Sequence, residues 1–167
     1  MKTKNVHLMT QAAVIAAIYV VLTFLANTLG LASGVVQVRL SEMLTVLPYF
    51  TTAAIPGVTI GCLISNILTG CSLLDIVFGS LATLLGALGS YWLRKYKFLV
   101  PIPPIIANIL IVPWVLRISY GVPDAIPYMM LTVGIGEIIS CGILGTILLL
   151  ALNKYKNIIF HTSMNQN

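Results

Sequence analysis

Nine Lys/Arg and four Asp/Glu are all the charge that 167 residues carry, and seven of the nine cations fall in three short clusters: Lys2/Lys4, Arg94/Lys95/Lys97 and Lys154/Lys156. Long apolar stretches separate the clusters, and every acid lies inside or at the edge of one. A soluble domain carries about 25% charged residues; this chain carries 8%, is 59% hydrophobic and has a mean hydropathy of +1.03. So little polar surface cannot cover a water-soluble globule. Cations flanking apolar spans mark the cytoplasmic side of a membrane protein, so the net charge of +5 reads as a topology signal that favours anionic lipid, not nucleic acid.

A span needs about 20 apolar residues. Four stretches satisfy this, roughly 7–29, 73–93, 98–119 and 125–152, while 40–70 is ambiguous. Placing all three basic clusters on one side requires an even number of crossings between Lys4 and Arg94, which divides 40–70 into 40–53 and 56–70. The expected fold is an all-α membrane protein, a single six-helix transmembrane domain over 1–160 with both termini cytoplasmic. The two short segments should be enclosed by the others. Pro56 belongs in the first turn of the third helix, Pro113 predicts a kink near 109–113, and 161–167 reads as a disordered polar tail.

Small residues recur every four positions on the third helix (Gly57, Gly61, Ser65, Thr69), as internal packing faces do in lipid. On the first helix Ala12, Ala13, Ala16 and Ala17 make a flat surface wider than one neighbour needs, a candidate docking face for a partner helix.

The retained polar residues are costly in a span and are therefore candidate functional groups. Glu137, deep in the last helix, has Gly134 and Cys141 as helical neighbours and should point inward; Asn66 and Asn108 fall at similar depth. They either satisfy one another or share a ligand pocket. Arg39 and Glu42 are three apart and either pair locally or face the pocket, with the outer connection 28–38 as a lid. Asp75 and Asp124 each precede a helix. Capping is the plain reading for Asp124, while for Asp75 capping and cargo contact stay open. Carboxylates and amide carbonyls outnumber cations here, so the solute should offer hydrogen-bond donors or a positive charge. Trp114, Tyr120 and Tyr128 are belt anchors or ring-stacking partners.

The chain has no phosphate-binding GxxxxGK[ST] loop, and His7 and His161 lie at its ends. Neither catalysis nor a resident cofactor or metal is called for. Cys62, Cys71 and Cys141 show no metal spacing and read as small packing residues.

The run Val38-Arg39-Leu40-Ser41-Glu42-Met43-Leu44-Thr45-Val46-Leu47-Pro48-Tyr49-Phe50 resembles the signature of the QueT family. So do Ala53-Ala54-Ile55-Pro56-Gly57 with Gly61-Cys62, the stretch from Asp75 to Leu84, and Pro103-Pro104 before Asn108. The resemblance implies a substrate-binding S component of an energy-coupling factor transporter, taking up queuosine precursors or related 7-deazaguanines. It also implies partnership with a transmembrane T component and two ATPase subunits, and location in the prokaryotic plasma membrane. S components dock through small residues of the first helix, which matches the four alanines. A deazaguanine edge presents N–H donors that a carboxylate accepts in pairs. Glu137 or Glu42 is assigned to that edge, Asp75 to an amine or polar tail, Asn66 and Asn108 to other ring positions, and Arg39 to holding Glu42 or the lid. The competing readings are a stand-alone proton- or cation-coupled carrier, in which Glu137 cycles a proton, and an assembly protein without cargo.

Overall fold

The computed structural model describes residues 2–32 and 36–159. Positions 33–35 of the connection 28–38, read above as a lid, and the tail 161–167 lie outside the described residues. Helix α1 covers Lys2–Thr28 and ends where Gly30, at φ 71°, admits a left-handed turn closed by Leu31 N–H donating to Ala26 O. An extended strap, residues 36–39, then leads into α2, Leu40–Tyr49.

Helix α2 is a 3-10 helix ten residues long, well beyond the usual three or four. Nearly all of it is buried: Ser41, Glu42, Leu44, Thr45, Val46, Leu47 and Pro48 face protein on all sides. The enclosure matches the expectation for 40–53, while the helix type differs. At about 2.0 Å per residue, ten residues of 3-10 helix reach as deep as roughly thirteen of α-helix.

Helix α3 is Ala54–Leu68, with Pro56 in its first turn; its Ile60, Ile64, Ile67 and Leu68 are exposed, so the enclosure expected of 56–70 does not hold. Helix α4 opens as a π turn, Asp75–Gly79, and continues as α-helix over Ser80–Trp92. Helix α5, Ile102–Tyr120, runs unbroken through Pro113 and ends at Gly121, φ 62°. Helix α6 comprises Ile126–Glu137, a π segment Ile138–Leu144, and Gly145–Ile159.

Close packing follows the small residues. A Cβ on Gly57 would sit 2.9 Å from Ala12 O, and one on Gly61 would sit 2.7 Å from Tyr19 Cβ, so the α3 stripe is the seat of α1. Gly86 and Gly89 receive Pro104 and Pro103, which lock α4 to the start of α5. Tyr19, Val46, Val58, Val100 and Leu149 are central to the core.

The outside is apolar. Met9, Val21, Leu73, Trp92 and Ile118 are exposed. Three helical stretches, Asn5–Thr28, Ile102–Tyr120 and Ile126–Lys156, are long and apolar enough to cross a membrane. At the basic clusters Arg94 lies 4.3 Å over the Tyr91 ring and Lys97 lies 4.9 Å from that of Phe98, as interfacial anchors do.

Candidate functional site: a polar cavity above a buried carboxylate cluster

The end of α1, the strap, the end of α3, the start of α4 and the end of α5 meet around a cavity of about 320 Å³. All three basic clusters lie at the other ends of these helices or of α6, so the cavity occupies the opposite pole of the bundle. Its polar lining comprises Thr23, Asn27, Gln37, Arg39, Ser41, Asn66, Asp75 and Tyr120. The volume is at the small end of the range for ligand pockets, about 300–1,000 Å³.

Asp75 is buried and anchored from three sides. Its N–H donates to Ser72 Oγ (3.1 Å), its carbonyl accepts from Asn66 Nδ2 (3.3 Å), and its Oδ2 accepts from the Tyr120 hydroxyl (3.2 Å). Ser72 thus takes the capping role, leaving the Asp75 carboxylate free to face the cavity. Gly79 leaves room for this arrangement, since a Cβ there would stand 3.2 Å from both Asn66 Nδ2 and Asp75 Oδ1. Tyr120→Phe removes both the donor to Asp75 and the acceptor for the Ser72 N–H (3.1 Å). At about 1 kcal/mol for each of these internal hydrogen bonds, the melting temperature should fall, and solute affinity should fall about fivefold as Asp75 loses its orientation; thermal unfolding and titration of the purified variant measure the two.

Arg39 is held by its backbone. Extended at φ −97°, ψ 97°, it donates its N–H to Ser140 Oγ (3.1 Å), while Val38 N–H donates to Leu31 O (2.9 Å). The strap crosses α6 at Gly136, where a Cβ would be 2.1 Å from Gln37 O. Arg39 precedes the first turn of α2, so it does not share a helical face with Glu42. The anticipated local ion pair is absent, and the guanidinium has no hydrogen-bond or ion-pair partner among the described residues. It lines the cavity and also a small cleft with Gln37, Val112, Val133 and Glu137.

Beneath the strap lies a second polar group. Glu42, fully buried, accepts a hydrogen bond from the Tyr19 hydroxyl, has the Thr83 hydroxyl 3.4 Å from the same oxygen, and leaves Oε2 without a partner. The Thr45 hydroxyl donates to its carbonyl (2.6 Å). Cys141 Sγ lies 3.3 Å from that carbonyl and 3.3 Å from Glu137 Oε2. Oxygen atoms of Glu42 and Glu137 and the Cys141 sulfur all fall within 4.8 Å of one another. Such a donor set could hold a small cation, but its thiol and hydroxyls already have internal partners. Asn108, 1% exposed, faces Glu137 from α5 without closing a hydrogen bond to it, and both its amide atoms are unpartnered.

The sequence-selected residues therefore divide. Asn66, Asp75 and Arg39 line the polar cavity; Glu42, Glu137 and Asn108 form the cluster below, and among the described residues Arg39 and Gln37 line both the cavity and a small cleft that reaches Glu137. Among the described residues, Asn66 lines the polar cavity, Glu137 lines the small cleft, and Asn108 lines neither. Trp114 is 52% exposed and lines an outward-facing apolar cleft with Phe78, Leu110 and Ile118. Tyr120 supplies the aromatic ring at the cavity instead. Asp124 caps nothing with its side chain: Ala125 is the N-cap of α6, and the Asp124 carbonyl accepts from Arg117 Nη1 (3.1 Å). The sequence reading overlooked Tyr19, Thr83 and Gln37. Tyr19 had a visible signal, a hydroxyl in mid-span that must find a partner.

A second concavity, apolar and about 900 Å³, runs along α1 and α3 and contains Ala12, Ala13, Ala16 and Ala17 with Met9, Val20, Pro56, Ile60 and Ile64. Ala12 and Ala16 pack towards α3, whereas Ala13 and Ala17 are exposed.

The profile of a family described as QueT transporter matches residues 9–154. The chain is also similar to a protein of Lactococcus lactis subsp. cremoris (strain MG1363) named queuosine precursor transporter QueT, at 38% identity over 84 residues. That match covers 50% of this chain and 49% of the relative, so the chain aligns with about half the relative's length. No solved structure matches.

Proposed function

The chain belongs to the QueT transporter family, and from that premise we propose that it captures a queuosine precursor in the outer cavity and is the substrate-specificity subunit of an energy-coupling factor transporter. Six membrane crossings with both termini in the cytoplasm, in the cell membrane, complete this reading. The observation that carries it is a polar-lined cavity, with Arg39, Asn66, Asp75 and Tyr120 facing it, above a buried cluster in which Glu42 Oε2 and both amide atoms of Asn108 have no partner. An unpartnered buried polar group costs about 1–3 kcal/mol, and a donor- and acceptor-rich solute offsets that cost. Asp75 and Asn66 offer acceptors to the cargo's N–H groups, while Arg39 offers donors. Glu137 sets the charge beneath Arg39 through the small cleft the two residues share.

Mass spectrometry of solutes retained by the purified protein, followed by titration with 7-deazaguanines, tests the cargo. Retention of a deazaguanine is expected; a chain that binds none overturns the reading. Uptake into vesicles should require a T component and ATPases. Uptake by the lone chain driven by a proton gradient would instead identify a self-sufficient carrier.

The exposed alanines of α1 fit the T component. Ala13→Trp with Ala17→Trp fills the groove without touching the cavity. The double variant should bind solute normally and lose co-purification with the T component and transport by at least tenfold. Unimpaired assembly would exclude this face as the docking surface.

A further inference from the structure

Among the described residues Arg39 is the cavity's one arginine or lysine, and the contacts that fix it act through the backbone: the Ser140 hydroxyl on its N–H, the Leu31 carbonyl on its neighbour, and the close approach of the strap to Gly136. An arginine whose role was to neutralise Glu42, Glu137 or Asp75 would sit in hydrogen-bond contact with one of them, because a bidentate guanidinium–carboxylate pair is the strongest arrangement open to it. Each carboxylate instead meets another group through one oxygen, and Glu42 Oε2 has no partner. Asp75 accepts from Tyr120, Glu42 accepts from Tyr19, and Glu137 faces Cys141. The fork of N–H donors is left to the cavity, beside a carboxylate that only accepts.

A donor fork next to an acceptor is the complement of a lactam edge. In a guanine-type ring, a carbonyl oxygen stands beside a ring N–H and an exocyclic amine. Arginine is the side chain that reads such a carbonyl through its planar donors. We infer that Arg39 is the specificity-determining residue of the outer cavity, its guanidinium donating to the ring carbonyl of a lactam-bearing heterocycle while Asp75 accepts from the adjacent N–H groups. The assignment rests on the proposed capture of a deazaguanine and adds to it the atom that is read. It gives Arg39 a role other than holding Glu42.

The test compares two probes on the full-length purified protein: 7-aminomethyl-7-deazaguanine and its 6-thio analogue. The analogue keeps every N–H donor but replaces the carbonyl oxygen with a weakly accepting sulfur. Wild type should prefer the oxo compound by at least tenfold. Arg39→Gln should bring that preference below threefold, mainly by weakening the oxo compound, and Arg39→Lys, a point charge without the fork, should give an intermediate ratio. The steric difference between oxygen and sulfur is common to all three proteins and cancels. Because the readout is a ratio, a partly unfolded preparation leaves it unchanged. Equal weakening of both probes by Arg39→Gln, or an unchanged ratio, overturns the assignment while leaving deazaguanine capture standing. A wild-type protein that binds neither probe overturns both.

Discussion

Gly136→Ala should weaken solute binding at least tenfold and lower the melting temperature, because the new methyl group has nowhere to go. It would stand 2.1 Å from the Gln37 carbonyl oxygen and 3.1 Å from its carbon, both backbone atoms that no rotamer change can move. Either the strap lifts from α6 or α6 retreats from the strap. Overpacking of this kind costs about 1–3 kcal/mol. Lifting the strap also carries Arg39 out of the cavity and breaks its N–H bond to Ser140. Calorimetric titration and thermal unfolding of the same preparation measure both effects. Full affinity with an unchanged melting temperature would show that the strap is not seated as described.

Glu137→Gln should move stability and affinity in opposite directions. In the unliganded protein two carboxylates stand with oxygens within 4.8 Å, and Glu42 Oε2 has no partner. Like groups at that spacing are held at an electrostatic cost. A glutamine keeps the shape, gives Cys141 an acceptor and adds an N–H₂ donor for Glu42, so the melting temperature should rise. The same change removes a carboxylate acceptor, and solute affinity should fall by about 1–3 kcal/mol. A side chain whose replacement stabilises the fold and harms binding is retained for function. A lower melting temperature with unaltered affinity would make Glu137 a structural member of the core.

The helices were legible because the apolar periods and the charge-poor stretches are long, and parity of the basic clusters separated α2 from α3. The buried acids and amides could also be found, since an ionisable group in an apolar run stands out by composition alone. Their grouping could not. Depth along a helix says little about rotation, and the π segment Ile138–Leu144 alters the angular relation of Glu137 to the residues after it. Arg39 and Glu42 were placed on one face by assuming helix at Arg39, where the backbone is extended. Trp114 and Tyr120 were equivalent in sequence; only their positions around α5 turn one towards Asp75 and the other outward. Ser72, an ordinary serine before an aspartate, took the cap that was offered to Asp75.

The 3-10 geometry of α2 bears on how the chain is assembled in the bilayer. Ten residues with the poorer geometry of i→i+3 bonding, three hydroxyls and one carboxyl have little tendency to partition alone. Their polar atoms are met by Tyr19 of α1, Thr83 of α4 and Cys141 of α6, elements separated by more than a hundred residues of translation. Residues 40–49 therefore have their full set of partners only once the last helix has been made.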